Sequence, residues 1–306
     1  MKRVLTALVL IPLVLLAVFK SPSWLFTLLV GAVALLALKE YLDLVEAYGV
    51  KPVRWLSYGL VAFSFLTYIM CDKNVLSYWT GLLPQPLGTR TVDVISFMNG
   101  ILWFTPFLLL VAVMRRADVS SALPAAATSM FGVYYVGASL ASLALLQGHG
   151  WYPVIFTFFA VWAGDIVAMY TGKAIGKHKM SPRISPNKTW EGAIGSVVGS
   201  VLACWALTHF APSINVAMHA PFDVSRHDFD VLKYGGLLNG PMITLFAIFL
   251  NIAAQLGDLV ESLIKRGANV KDSGTMLPGH GGILDRIDAL LFAAPVALVL
   301  FEFVRR

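Results

Sequence analysis

Nine apolar stretches recur along this chain, at about 4–19, 23–38, 55–71, 94–114, 124–146, 151–171, 190–211, 236–257 and 284–304, each bounded by charge, Pro or Gly. Crossing the hydrocarbon of a bilayer takes roughly 20 predominantly apolar residues, so lipid is the expected solvent for most of the chain. A backbone in hydrocarbon must satisfy its own hydrogen bonds, which leaves helices or closed barrels. No ten-residue alternating pattern of a barrel is present. The predicted fold is therefore all-α: a polytopic integral membrane helix bundle of about nine transmembrane helices. With 58% hydrophobic and 13% charged residues, a water-soluble globule is excluded.

No internal repeat, low-complexity tract or long linker divides the 306 residues, so a single membrane domain is expected, with amino-terminal helices over 1–150 and the chemistry over 151–306. Met1-Lys2-Arg3 ahead of an apolar run looks like the start of a signal peptide. No small-residue cleavage site follows before Lys20-Ser21-Pro22, and an uncleaved first helix is the better reading. Cys71 and Cys204 lie in or beside apolar segments without metal-ligand spacing and read as packing residues.

The net charge of +6 is explained by topology and anionic lipid rather than by nucleic acid. With the amino terminus inside, 16 of the 23 Lys and Arg residues fall on the cytoplasmic side, as the positive-inside rule requires. The same topology puts the two longest charged segments, 172–189 and 258–288, on that one face.

Chemistry concentrates there. In 255–266, helical spacing stacks Asp258, Glu261 or Ser262, and Lys265 along one stripe, although a solvated helix end would look similar. The glycine-rich loop that follows, through Lys271-Asp272 to His280-Gly281-Gly282, permits close backbone approach to a phosphate. Asp285 and Asp288 then share a face of the first turn of the last span, flanking Arg286. One such acid would be accounted for by the helix dipole; two after a His-Gly-Gly turn, opposite another acid at Asp258, favour a hard divalent cation with phosphates.

Upstream, Asp165 lies inside the sixth span, where an isolated charge signals function. Lys173, Lys177, Lys179, Arg183 and Lys188 crowd the next loop, enough positive charge to neutralise a triphosphate or a lipid phosphate. Thr189 is a candidate helix cap and Trp190 a candidate interfacial anchor.

The run Ser262-x-x-Lys265-Arg266 through Lys271-Asp272 and His280-Gly281-Gly282 to Asp285-Arg286-x-Asp288 closely resembles the signature of bacterial phosphatidate cytidylyltransferases, over 27 continuous positions. Gly164-Asp165 and Ser185-Pro186-Asn187-Lys188-Thr189-Trp190-Glu191-Gly192 also resemble that family, whereas the amino-terminal half does so only in hydropathy. One departure is Asn187, where the family commonly has a second lysine.

The resemblance implies condensation of CTP with phosphatidic acid to CDP-diacylglycerol and pyrophosphate. It implies Mg²⁺, with room for a second cation, held by Asp258 and Asp285 with Asp288 as a further ligand. Lys265, Arg266, Lys271 and Arg286 would hold phosphates, and Ser262 and the backbone near His280 to Gly282 would orient oxygens; Asp272 belongs to the same catalytic run. Asp165, Lys173, Lys188, Thr189 and Glu191 would line the substrate cavity with Gly281 and Gly282. The implied setting is the inner membrane of a bacterial cell, with the active site facing the cytoplasm and no nucleic-acid partner; a homodimer is suggested, with oligomeric state left open.

Two alternatives stand beside this reading. Another CTP-dependent lipid enzyme, such as a polyprenol kinase or an ether-lipid cytidylyltransferase, would need a similar cavity. A transporter could use Asp165 and broken spans as a path, although the polar residues gather at one surface. The D-G-x-x-A-R core of CDP-alcohol phosphotransferases and a Walker A motif are both missing from the sequence.

Overall fold

The computed structural model describes residues 2–70, 103–114, 118–219, 240–276 and 281–305. Its helices are α1 (Lys2–Lys20), α2 (Ser23–Ala47), α3 (Arg54–Met70), α4 (Thr105–Val113), α5 (Ala122–Gly132), α6 (Ser139–Gln147), α7 (Trp151–Ile175), α8 (Trp190–His219), α9 (Gly240–Gly267) and α10 (Leu284–Arg305). A π-helical turn, Val133–Ala138, joins α5 to α6 without a break. The chain is a polytopic all-α membrane protein: among the described residues, six helical stretches are long and apolar enough to cross a bilayer.

These six correspond to the second, fifth, sixth, seventh, eighth and ninth expected spans. Several are longer than hydropathy alone indicates. Helix α2 continues nine residues past the expected end at 38, because Tyr41, Leu42, Leu44 and Val45 are buried and carry the apolar face through Lys39 and Glu40. The third span is a helix of 17 residues. The apolar Ile11–Lys20 part of the first is shorter still. Of the fourth expected span, 94–102 lies outside the described residues, as do 236–239 of the eighth and Cys71.

Two compact units emerge, each assembled from separate stretches of chain. The first takes residues 1–6, 21–144 and 267–286. In it, Pro22 starts α2, its carbonyl accepting from the Leu25 and Phe26 amides at 3.0 and 3.1 Å. Helix α2 then packs on α3 and on the α5–π stretch at small residues: a Cβ at Gly31 would meet the Phe65 side chain at 3.0 Å, and one at Gly132 would meet the Tyr41 ring at 2.6 Å. The Tyr41 hydroxyl donates to the Thr128 carbonyl at 3.0 Å, and the Val53 amide donates to the Ser129 hydroxyl at 2.7 Å.

The second unit takes residues 7–20, 145–266 and 287–306. Helix α7 opens after Gly150, whose φ of 105° is accessible to glycine at little cost. Its partner α8 presents Gly192, Gly195, Ser196, Gly199 and Ser200 to it. A Cβ at Gly195 would strike Thr171 at 2.5 Å, and one at Gly199 would strike Val167 at 2.5 Å. Small residues at this spacing let membrane helices approach closely, where dispersion replaces the absent hydrophobic drive. Cys204 is buried in the same seam, as its apolar surroundings predict.

The connection between α7 and α8, expected to be loop, is a short antiparallel hairpin: β1 (Lys179–Ser181) and β2 (Ser185–Thr189) pair with Lys179 opposite Thr189 and Ser181 opposite Ser185. Its strands of three and five residues alternate too briefly to register against the surrounding charge.

Candidate active site

The cavity of the second unit is built on a buried polar node. Asn251 on α9 donates its amide to Ser196 and Ser200 of α8 at 2.8 and 2.7 Å, and Ser200 passes a hydrogen bond to the Ala160 carbonyl of α7. All three side chains are buried. Gly164 faces them, with no room for a Cβ beside Asn251. Gln255, one turn on, donates to the Asn251 side-chain oxygen at 2.6 Å and to the Ala193 carbonyl at 3.2 Å. This ladder locks three helices in register, since each polar group left unpaired in an apolar interior would be costly.

The next polar residue on α9 is Asp258, and here the ladder opens into a cavity of about 630 Å³. Its polar lining comprises Asp165 and Lys173 of α7, Lys179, Asn187, Lys188 and Thr189 of the hairpin, and Ser196, Gln255 and Asp258. The Lys188 ammonium meets the Asp258 carboxylate at 2.6 Å, a charge-assisted contact. Ser262 points its hydroxyl at the other Asp258 oxygen from 3.4 Å, too far for a strong hydrogen bond. Asp258 also lies within electrostatic reach of Asp165 and Asp288. Gly257 allows this approach of α9 to α10, because a Cβ there would meet the Asp288 carbonyl at 2.6 Å.

The hairpin is held from both ends. Thr189 caps α8, its hydroxyl accepting from the Gly192 amide at 3.2 Å. The Arg266 guanidinium reaches the Ile184 carbonyl at 3.3 Å. Glu191, expected among the cavity residues, turns instead to His178, whose ring it meets at 2.6 Å. It is not among the residues lining the cavity. Lys265 is engaged with Glu261 one turn back, a fully buried acid.

The first unit holds the rest of the signature. The Asp285 carboxylate accepts from the backbone amides of Ser273 and Gly282 at 2.9 and 2.7 Å, closing the loop over the start of α10. Gly281, at φ 79°, makes the turn that aims the Gly282 amide. Lys271, Asp272 and Arg286 are exposed. His280 lies outside the described residues.

Sequence reasoning missed Glu40, the buried acid of α2. Its carboxylate accepts from the Ser273 hydroxyl at 3.0 Å and from the Ile283 and Leu284 amides at 3.0 and 2.8 Å. The available signal was the helical spacing of Tyr41, Leu44 and Val45, which carries α2 past Lys39 and puts Glu40 inside a helix rather than at its solvated end. Among the described residues no three His, Cys, Asp or Glu side chains gather in ligating geometry.

The sequence model of the cytidylyltransferase family matches residues 1–304. The chain is 30% identical to the phosphatidate cytidylyltransferase of Haemophilus influenzae over 311 residues, covering 99% of each. It is 33% identical to that of Staphylococcus epidermidis over 299 residues, covering 97% of each. With the Brucella abortus phosphatidate cytidylyltransferase it shares 41% identity over 175 residues, 56% of this chain and about half the length (55%) of the relative. The cavity of cations and carboxylates at the end of a membrane helix bundle, and a family match running almost end to end, lead to one conclusion: this chain belongs to the cytidylyltransferase family.

Proposed function

We propose that this protein transfers the cytidylyl group of CTP to phosphatidic acid, giving CDP-diacylglycerol and pyrophosphate. The observation that carries the reading is the Lys188–Asp258 pair at 2.6 Å in a cavity that also holds Asp165, Lys173 and Lys179. Cations and carboxylates in one water-accessible cavity suit a substrate that brings both phosphates and a metal. The names of the full-length relatives support the choice of lipid acceptor.

In this reaction a phosphatidate oxygen attacks the α-phosphorus of CTP, the bond from that phosphorus to the bridging oxygen breaks, and pyrophosphate leaves with that oxygen. The attacking oxygen is already anionic at neutral pH, so no strong general base is required. Positioning and charge stabilisation carry the catalysis. Lys173, Lys179 and Lys188 would neutralise phosphate oxygens from one wall of the cavity, with Lys188 exchanging its carboxylate partner for phosphate as substrate enters.

The choice of Mg²⁺ is supported by the Asp258 carboxylate with Asp165 and Asp288 in electrostatic reach, since Mg²⁺ takes one or two carboxylates and completes its shell with water and phosphates. Asp258 and Asp288 would hold it. Bound there, the ion would offset phosphate charge and orient the triphosphate. The metal role of Asp285, the phosphate roles of Lys265, Arg266, Lys271 and Arg286, and a second cation rest on the family resemblance. The distribution of Lys and Arg supports a site facing the cytoplasm, where CTP is found. A single membrane domain rests on the lack of any repeat or long linker in the sequence, and the bacterial inner membrane on the family resemblance.

The test is pyrophosphate release by the purified protein in lipid nanodiscs. Release that requires CTP, phosphatidic acid and Mg²⁺ together supports the reading. Release without the lipid, or none with all three present, contradicts it.

A further inference from the structure

Helix α2 and Tyr48, which follows it, lie far in sequence from every motif named above, yet they touch the 267–286 segment at three glycines. A Cβ on Gly267 would run into the Tyr48 ring, and one on Gly274 would meet the Glu40 carboxylate at 2.6 Å. One on Gly282 would collide with Glu40 and Ser273 together. The glycines of this loop thus make room for α2.

Glu40 is 3% exposed. Among the described residues it accepts three hydrogen bonds, all from this segment: from the Ser273 hydroxyl and the Ile283 and Leu284 amides. Those amides are among the donors that α10 cannot satisfy within itself at its first turn. An acid from a distant helix therefore caps α10, and its negative charge sits at the positive end of the helix dipole. Ser273 links it to Asp285, since its hydroxyl goes to Glu40 while its amide goes to the Asp285 carboxylate.

We infer that Glu40 is a positioning residue for the reaction. It anchors the loop that carries Lys271, Asp285 and Arg286 to the amino-terminal helices, and so fixes the orientation of Asp285 without touching substrate. This rests on the proposed cytidylyl transfer for its kinetic arm only.

Glu40→Gln tests it, because the amide keeps the shape of the side chain while putting an NH₂ group against backbone donors. The measurements are hydrogen exchange of the 273–276 and 281–286 amides in nanodiscs, and kcat and KM for CTP and phosphatidic acid. We expect these amides to exchange at least about tenfold faster while α7 and α8 stay protected, and kcat to fall at least about tenfold with both KM values within about threefold.

Ser273→Ala should give the same pattern more weakly, and it carries the test if Glu40→Gln does not fold. Unchanged loop exchange overturns the anchoring. Faster exchange with kcat within twofold of an active wild type overturns the positioning role. A wild type without cytidylyl transfer refutes the proposed function and with it the positioning role, while the exchange comparison still decides the anchoring.

Discussion

Gly164→Ala adds one methyl group at the most crowded polar point of the second unit. The new Cβ would lie 2.6 and 2.8 Å from the Ser200 and Ser196 hydroxyl oxygens and closer still to the Asn251 amide nitrogen. Three effects compete. Alanine improves on glycine in a helix interior by about 1 kcal/mol. Prising Asn251 from its two serines gives up two interhelical hydrogen bonds, roughly 1 kcal/mol together in a membrane setting. Overpacking a close-packed seam costs about 1–3 kcal/mol. The net expectation is a loss of about 1–3 kcal/mol. Denaturant unfolding in mixed micelles, followed by tryptophan fluorescence, reads it directly. Asn251→Ala in the same background should recover part of the loss, because it vacates the space the methyl needs and the two sites are in contact. Stability within about 0.5 kcal/mol of the parent, or simple addition of the two losses, would refute the account of Gly164 as a space required by the node.

Further expectations concern the cavity and the proposed metal ligands. Asp258→Asn removes the charge that pairs Lys188 and should lower turnover at least about 100-fold while the protein remains folded and inserted, read by turnover and by size-exclusion profile. Asp285→Asn should also abolish turnover in an inserted protein; near-normal activity would remove its metal assignment. Asn187→Lys, at the cavity wall, should leave kcat/KM for CTP within about twofold, and a large loss would mean that the asparagine is tuned to this chain.

The membrane helices were legible from hydropathy because burial in lipid demands a continuous apolar run, and the aspartates at 165, 258, 285 and 288 stood out against that background. What pattern alone did not convey depends on partners distant in sequence. Glu40 lies past the expected end of the second span at 38, and its burial emerges only when α2 is followed through Tyr41 to Val45. Glu191 reads as a cavity acid until the hairpin brings His178 to it. The Asn251 node was invisible for a similar reason: one amide and two serines, 51 to 55 residues apart, acquire meaning only when three helices converge. The glycines of the loop point to phosphate when only backbone freedom is considered, and to α2 once its side chains are in place.

The central claim is transfer of a cytidylyl group to a lipid phosphate, and the fate of label in CTP tests it most directly. With phosphatidic acid and Mg²⁺, label at the α-phosphate should enter the lipid fraction as CDP-diacylglycerol, and label at the γ-phosphate should leave entirely as pyrophosphate. Label from the γ-phosphate in the lipid would make the protein a CTP-dependent kinase and contradict the account.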